Sequence, residues 1–170
     1  MATHYSKPYF PLAGIAEDAF SKEDEATATC FCGAVQLTFV PSKVVTTFVC
    51  NCSDCHKVTA SMFASNFTVN DEDLKWLRGK ENLKVYSQAK TPISGKAMTN
   101  YFCSTCGTLM NRVGTAYPGQ NFLRIGTVDD FSLHETVLRP QNEVFMKYKN
   151  NWVPSLSHVE GIKQYQGFFE

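Results

Sequence analysis

Seven cysteines in three clusters constrain this chain more than any other feature of its 170-residue sequence. They occur as Cys30-Phe-Cys32-Gly33, Cys50-Asn-Cys52-Ser-Asp-Cys55 and Cys103-Ser-Thr-Cys106-Gly107, so none stands alone. Two cysteines separated by one or two residues can bind one zinc ion from a single tight turn, and a second such turn completes a tetrahedral site. Because seven is an odd number, a closed disulfide framework would leave one thiol over. The clusters therefore favour zinc binding.

The first and last clusters both end in glycine, at Gly33 and Gly107. Glycine lets such a turn adopt positive φ and point backbone N–H groups at the sulfurs, which delocalises the charge of the thiolates. We therefore expect these two clusters to form one closed, structural zinc site, whose four ligands are Cys30, Cys32, Cys103 and Cys106.

The middle cluster lacks the trailing glycine and offers three ligands, Cys50, Cys52 and Cys55. Three protein ligands leave a fourth coordination position open, which is typical of a catalytic zinc. An open zinc can hold water, a carbonyl oxygen or a thiolate. We therefore expect two zinc ions per chain and assign the catalytic role to these three cysteines.

Other arrangements of the cysteines remain open from the sequence. One structural site could leave three spare thiols. His56 could supply a fourth ligand to the second site, although the adjacent side chains of Cys55 and His56 diverge. Cys52-Ser-Asp-Cys55 could be a redox motif, although no βαβ pattern surrounds it. Iron–sulfur ligation suits the close Cys-x-Cys spacing less well than a mononuclear site.

Composition excludes several classes of protein. Hydrophobic residues make up 44% and charged residues 19%, as in globular domains. Sixteen basic and sixteen acidic residues cancel, so the chain lacks the basic excess of a nucleic-acid-binding protein. No apolar run approaches the roughly 18 residues of a membrane span, and residues 1–20 do not resemble a signal peptide. We expect a cytoplasmic protein, and in a reducing compartment clustered cysteines bind metal more often than they form disulfides.

Two regions differ in sequence pattern. Residues 1–26 form an acidic leader with Pro8 and Pro11, expected to be solvated or, alternatively, to pack Tyr5, Tyr9 and Phe10 against the body or a partner subunit. Residues 27–170 are expected to form a single domain. Its short alternating segments and glycine turns predict a mainly β fold of short antiparallel sheets. We expect one strand to end at Pro41 and others at 44–49, 62–69, 74–77, 83–86, 99–102, 108–113 and 122–128, while 143–149 could be a strand or a short helix.

The order and spacing C-x-C-G, C-x-C-x-x-C and C-x-x-C-G resemble the glutathione-dependent formaldehyde-activating enzyme family, whose wider group includes centromere protein V. The resemblance extends over about residues 26–150 and includes the segments 57–63, 102–109 and 126–130. It implies a fold similar to the Mss4-like β architecture, a structural zinc on the outer clusters and a labile zinc on the middle cluster. This chain departs from the family where His56-Lys57 follows the third middle cysteine and where Ala60 replaces a common glycine.

The implied activity is that of a carbon–sulfur lyase that condenses glutathione, the cosubstrate, with formaldehyde to S-hydroxymethylglutathione. Glutathione carries two carboxylates, so its cleft needs cations or N–H donors. Lys57 and Arg112 are the candidate residues, with ordinary surface charges as the alternative. His56 is a candidate acid or base. Four phenylalanines are expected in the core more than around a substrate, namely Phe63, Phe67, Phe102 and Phe122.

Three classes of function compete. The first is the zinc-dependent, glutathione-linked lyase, acting on formaldehyde or on another electrophile such as a secondary metabolite. The second is a non-catalytic zinc scaffold, for which relatives would carry a basic extension and this chain has an acidic one. The third is a metal chaperone or redox sensor that uses the labile site. We favour the enzyme, with glutathione and a small electrophile as partners, no nucleic acid or membrane, and a possible homodimer.

Overall fold

Strands dominate residues 7–11 and 16–169, the part of the chain that this computed structural model describes. A single α-helix, α1 (Ser53–Thr59), follows the fourth strand of this part. The strands are β1 (Ser21–Lys22), β2 (Glu25–Thr29), β3 (Gln36–Phe39), β4 (Thr46–Cys50), β5 (Ala64–Asn70), β6 (Leu74–Arg78), β7 (Leu83–Gln88), β8 (Met98–Cys103), β9 (Leu109–Gly114), β10 (Gln120–Arg124), β11 (Asn142–Val144) and β12 (Lys163–Gln164).

The strands form two sheets. The small sheet has the order β1-β2-β3-β6, and the large sheet has the order β12-β11-β4-β5-β10-β9-β8-β7. Neighbouring strands are antiparallel except that β11 runs parallel to both β4 and β12. The predicted mainly β class is confirmed, and the arrangement is consistent with the Mss4-like fold.

Successive side chains of a strand point to opposite sides of a sheet. The two faces of the large sheet therefore carry different sets of residues. On one face, Phe67 of β5 and Leu123 of β10 pair across strands and belong to the main core. The ring of Phe67 lies 4.8 Å from that of Phe39 in the small sheet. The opposite face carries the row Phe48, Asn66 and Arg124, in register across three strands. This second face is also covered, because Phe48 belongs to a second hydrophobic cluster that includes Cys50 and Cys55.

The structure differs from the expected elements in three places. The predicted strand 122–128 ends at Arg124, because Ile125–Thr127 turn into a 3-10 helix. Helix α1 was not predicted, because it is short and its cysteines hide any helical periodicity. The undecided segment 143–149 contains both kinds of structure, since β11 is followed by a 3-10 helix at Met146–Tyr148.

Part of the acidic leader contacts the body. The backbone N–H of Tyr9 donates to Asp130 Oδ1 at 2.9 Å, and the Tyr9 ring packs edge-on to Phe131. Asp18 pairs with Arg78 of β6. Tyr5 lies outside the described residues. The division of the chain at residue 26 stays a prediction.

No helix in the described part of the chain has the length and apolar character needed to cross a membrane.

Candidate metal centres

The structure brings the seven thiols into two groups. The four-cysteine group contains Cys30, Cys32, Cys103 and Cys106, and the three-cysteine group contains Cys50, Cys52 and Cys55. Within each group the Sγ atoms lie within 4.8 Å of one another, so each could hold a metal ion. Among the described residues, no histidine or carboxylate joins either group. This geometry favours two sites over one site with spare thiols, and His56 lies outside the second group.

Distances in the four-cysteine group fit a tetrahedral thiolate site. The Sγ atom of Cys32 lies 3.6 Å from that of Cys30 and 3.7 Å from that of Cys103. Ligands bound to zinc at about 2.3 Å and tetrahedral angles would be about 3.8 Å apart. A disulfide would require about 2.05 Å. The donor atoms therefore fit zinc, and all seven cysteines are free thiols.

The glycine turns of the four-cysteine group have the expected conformation. Gly33 and Gly107 both adopt φ of +76°, and the N–H of Gly33 donates to the carbonyl oxygen of Cys30 at 2.9 Å. The N–H of Val35 donates to the Cys30 Sγ at 3.2 Å. The two turns, whose cysteines Cys32 and Cys103 are 71 positions apart in sequence, thus present their sulfurs to one point.

Ionisation within this group is uneven. Burial raises the pKa of the Cys30 thiol to about 12. Burial also opposes ionisation of Cys106, but hydrogen bonds from the Thr108 hydroxyl and backbone N–H outweigh it and lower the pKa of Cys106 to about 6. Cys106 therefore ionises more readily than Cys30.

The three-cysteine group is formed where β4 meets α1. Cys50 is the last residue of β4, Cys52 caps the helix, and Cys55 lies in the first turn. The N–H of Cys55 donates to the Sγ of Cys52 at 3.4 Å, which holds the turn closed. Cys50 and Cys55 are buried, and Cys52 is half-buried. Three converging thiols fit a zinc site with one open position.

Two buried arginines lie beside this group. Arg112 of β9 and Arg124 of β10 are each 7% exposed. Arg112 donates to the Cys55 Sγ at 3.8 Å and pairs with Asp54 at 3.4 Å. The Nε atoms of both arginines and Nη2 of Arg124 are buried, with no hydrogen-bond partner in the described part of the chain. Because a buried cation needs compensating negative charge, these donors fit a site that holds thiolates and an anionic ligand.

The cations also favour ionisation of Cys55. Hydrogen bonds from the Cys50 and Cys52 thiols hold the pKa of Cys55 well below its ordinary value, and the charges of Arg124 and Arg112 lower it further. Burial lowers the pKa of Arg124. The negative charge of the Cys55 thiolate opposes that shift, so the thiolate and Arg124 stabilise each other's charged forms.

A cavity of about 380 Å³ opens beside the three-cysteine group. The three thiols, Arg112 and Arg124 line its floor, and Lys147 lies at its edge. Such a volume is typical of a small-molecule site. The rest of the lining includes residues 91–94, Met98 and six rings. These rings are called here the aromatic wall: Phe48, Tyr117, Phe122, Phe145, Tyr148 and Phe168.

The predicted substrate residues separate in the structure. Arg112 lies in the cavity, whereas Lys57 is exposed on α1 and neither it nor His56 is among the described residues that line the cavity. Phe67 is in the core as expected, but Phe63 is 38% exposed, so that part of the prediction is wrong. Phe122 is buried and also lines the cavity.

Sequence reasoning missed Arg124 and most of the aromatic wall. A signal for Arg124 existed, because Phe122 and Arg124 are two residues apart on one strand and therefore share a face. The rings of the wall come from segments far apart in the chain, and their convergence has no local pattern.

One comparison with known proteins agrees with the cysteine pattern. A family model described as glutathione-dependent formaldehyde-activating enzyme matches residues 25–148. A crystal structure of a Rhodobacter sphaeroides protein is similar to this chain at 20% sequence identity and a TM-score of 0.49, covering 82% of this chain and 98% of the other. A search among curated proteins finds no match.

Proposed function

Because the chain belongs to the glutathione-dependent formaldehyde-activating enzyme family, we propose that it is a zinc-dependent enzyme of the carbon–sulfur lyase type. It joins the thiol of glutathione to formaldehyde and yields S-hydroxymethylglutathione. The thiol sulfur forms a bond to the carbonyl carbon, the C=O π bond opens, and the oxygen takes a proton in place of the one the thiol loses. No oxidant or reductant is needed.

The main support for this proposal is the difference in surroundings of the two thiol groups. The three-cysteine group lies on the floor of a cavity, whereas Cys30 and Cys103 of the four-cysteine group are buried in the main core. In the proposal the four-cysteine group holds a structural zinc and the three-cysteine group holds the catalytic one. Zinc bound there would supply a soft Lewis acid that favours deprotonation of a thiol.

The charges around the cavity suit glutathione. Arg112 and Arg124 on the floor and Lys147 at the edge supply three cations, and Asp54 is the single carboxylate among the described residues of the lining. The tripeptide carries two carboxylates, which pair well with such groups. In this arrangement the arginines hold negative charge close to the reacting sulfur, and Lys147 anchors the far end of the peptide. A role for Lys57 stays a prediction.

The first test measures metal content by elemental analysis and glutathione binding by calorimetry, on wild type and on Cys52→Ala. We expect two zinc ions per chain in wild type and one in the variant, which keeps its fold but loses glutathione binding. Wild type should also consume formaldehyde in a glutathione-dependent manner. One zinc in both proteins, with no glutathione binding, would instead support a non-catalytic scaffold.

A matched pair of lysine variants tests the anchor. Lys57 and Lys147 are both exposed, and Lys147 alone of the two lines the cavity. Lys147→Met should weaken glutathione binding several-fold, as expected when one charge-assisted contact at an exposed position is lost. Lys57→Met should leave it unchanged. The reverse result would move the glutathione site to the outer face of α1.

A further inference from the structure

The aromatic wall provides far more apolar surface than formaldehyde can use. Its rings form a continuous surface: the centroid of Tyr117 lies 5.4 Å from that of Phe122 and 5.6 Å from that of Phe168, and Phe48 and Phe145 lie 5.8 and 6.0 Å from Phe168. Formaldehyde has a single carbon, and the glutathione backbone is polar. Phe48, Phe122 and Phe145 are also buried members of a second hydrophobic cluster, against which Tyr117 and Phe168 pack. Packing therefore accounts for part of this surface, and neither substrate of the proposed reaction accounts for the part that faces the cavity.

The wall is completed by a segment outside the family match. The match ends at residue 148, yet Gly167 and Phe168 line the cavity. Backbone hydrogen bonds hold the segment in place, from Phe145 N–H to the Gly167 oxygen and from Tyr165 N–H to the Glu143 oxygen, both at 2.9 Å. The family pattern alone therefore does not determine the shape of this cavity.

Charge and apolar surface are separated within the cavity, except at Tyr148, whose ring centroid lies 5.1 Å from Lys147 Nζ. The charged side chains of the lining are Asp54, Arg112 and Arg124, near the thiols, and Lys147 at the edge. The aromatic wall contains no charged member. A ligand part that lies on this wall gains from apolar burial and from ring stacking, and would lose if it carried a charge.

We propose that the aromatic wall binds a neutral aryl aldehyde or aryl ketone as the electrophile of this chain, and that Phe168 determines this specificity. The inference rests on the proposed function, because glutathione remains the thiol partner. For an aryl aldehyde the sulfur bonds to the carbonyl carbon, the C=O π bond opens, and the oxygen gains the proton that the thiol loses. Atoms and charge balance without a further reactant.

The test uses two ketones of similar size, acetophenone and cyclohexyl methyl ketone, titrated calorimetrically into the zinc-loaded protein. Ring contacts contribute beyond simple burial, so acetophenone should bind about threefold to tenfold more tightly than the cyclohexyl compound. Phe168→Ala should weaken acetophenone binding about tenfold and leave glutathione binding intact. Tyr86→Ala is the control, because Tyr86 is an exposed ring on β7 that is not among the described residues lining the cavity.

Glutathione binding, measured in the same samples, separates this inference from the proposed function. If glutathione binds and acetophenone does not, or binds equally to Phe168→Ala, the aryl specificity is wrong and the lyase proposal stands. If acetophenone binds and glutathione does not, the aryl site stands and the glutathione-linked reaction fails. A loss of thermal stability in Phe168→Ala without a change in acetophenone affinity would show that the wall is packing alone, and would overturn the inference.

Discussion

The four-cysteine group and the three-cysteine group use the same ligand atoms but are built differently. Cys32 and Cys103 are 71 positions apart in sequence, and their group joins two distant turns inside the main core. The three-cysteine group comes from six consecutive residues and is bordered by two buried arginines and a cavity. A metal that closes a long loop stabilises the fold, because it removes conformational freedom from the unfolded chain. A metal on adjacent residues closes almost no loop and is free to serve chemistry.

The largest expected effect comes from removing one ligand from each group. Cys103→Ser should destabilise the protein by more than about 4 kcal/mol or prevent folding, because it leaves a structural metal site incomplete. Cys52→Ser should cost less than about 2 kcal/mol. Thermal unfolding followed by circular dichroism, with zinc content measured in parallel, compares them. Equal losses of stability in the two variants would remove the distinction between a structural and an open site.

The next effect concerns the buried cation that distinguishes the three-cysteine group. Arg124→Met removes charge next to the thiolates and should weaken zinc binding there about 10-fold to 100-fold, as for other partners of metal ligands. The affinity of the four-cysteine group should not change. Competition with a chromophoric chelator measures both sites. Arg139→Met is the control, since Arg139 is exposed and is not among the described residues that line the cavity. An unchanged zinc affinity in Arg124→Met would mean that Arg124 interacts with the anionic ligand and does not affect the metal.

A smaller effect has opposite signs at the two groups. Gly33 adopts φ of +76° with ordinary contacts to an added Cβ, so Gly33→Ala should destabilise by about 1 kcal/mol through backbone strain. Ala60 ends helix α1 at φ of +51°, where glycine is favoured, so Ala60→Gly should stabilise by up to about 1 kcal/mol. Urea unfolding measures both. If Ala60→Gly is destabilising instead, the extra conformational freedom that glycine gives the unfolded chain outweighs the relief of backbone strain.

The smallest effect is a pH dependence on the four-cysteine side of the molecule. Burial lowers the pKa of His134, whose Nε2 lies 3.2 Å from the Val128 oxygen, below its ordinary value of 6.5. The unfolded chain therefore binds a proton more readily than the folded one, and stability should fall as pH drops below about 6.5. His134→Gln should flatten this decline. Urea midpoints are compared for both proteins at several pH values, so that a loss of zinc at low pH affects both equally. Parallel curves of midpoint against pH would exclude His134 as the cause.

Some of the fold could be predicted because strands leave a local pattern. The strand expected to end at Pro41 corresponds to β3, which ends at Phe39, and Gly33 and Gly107 predicted the turn conformation at two of the cysteine clusters. The family glycine missing at position 60 was noted from the sequence as a departure, and the left-handed φ of Ala60 supplies its physical meaning. Helix α1 was missed because seven residues give too little periodicity to detect.

The candidate site was predicted in part for the same reason. Metal ligands are recognisable from spacing, since two cysteines on one turn reach one ion whatever the remaining fold. The charged side chains around the thiols follow no such local rule. Arg112 was proposed because it lies near a cysteine cluster in sequence, whereas Arg124 was not proposed. Both reach the thiols because β9 and β10 are neighbours in the large sheet.

From the sequence alone one can therefore derive the mainly β class, the division of seven cysteines into a four-ligand and a three-ligand set, and the family. Each of these follows from short-range spacing and residue type. The cavity, the pairing of buried arginines with thiols and the aromatic wall follow from the tertiary structure alone. The strand order and the packing of residues 163–168 against the large sheet bring together side chains more than 100 positions apart. Interactions between neighbours in sequence do not determine these contacts.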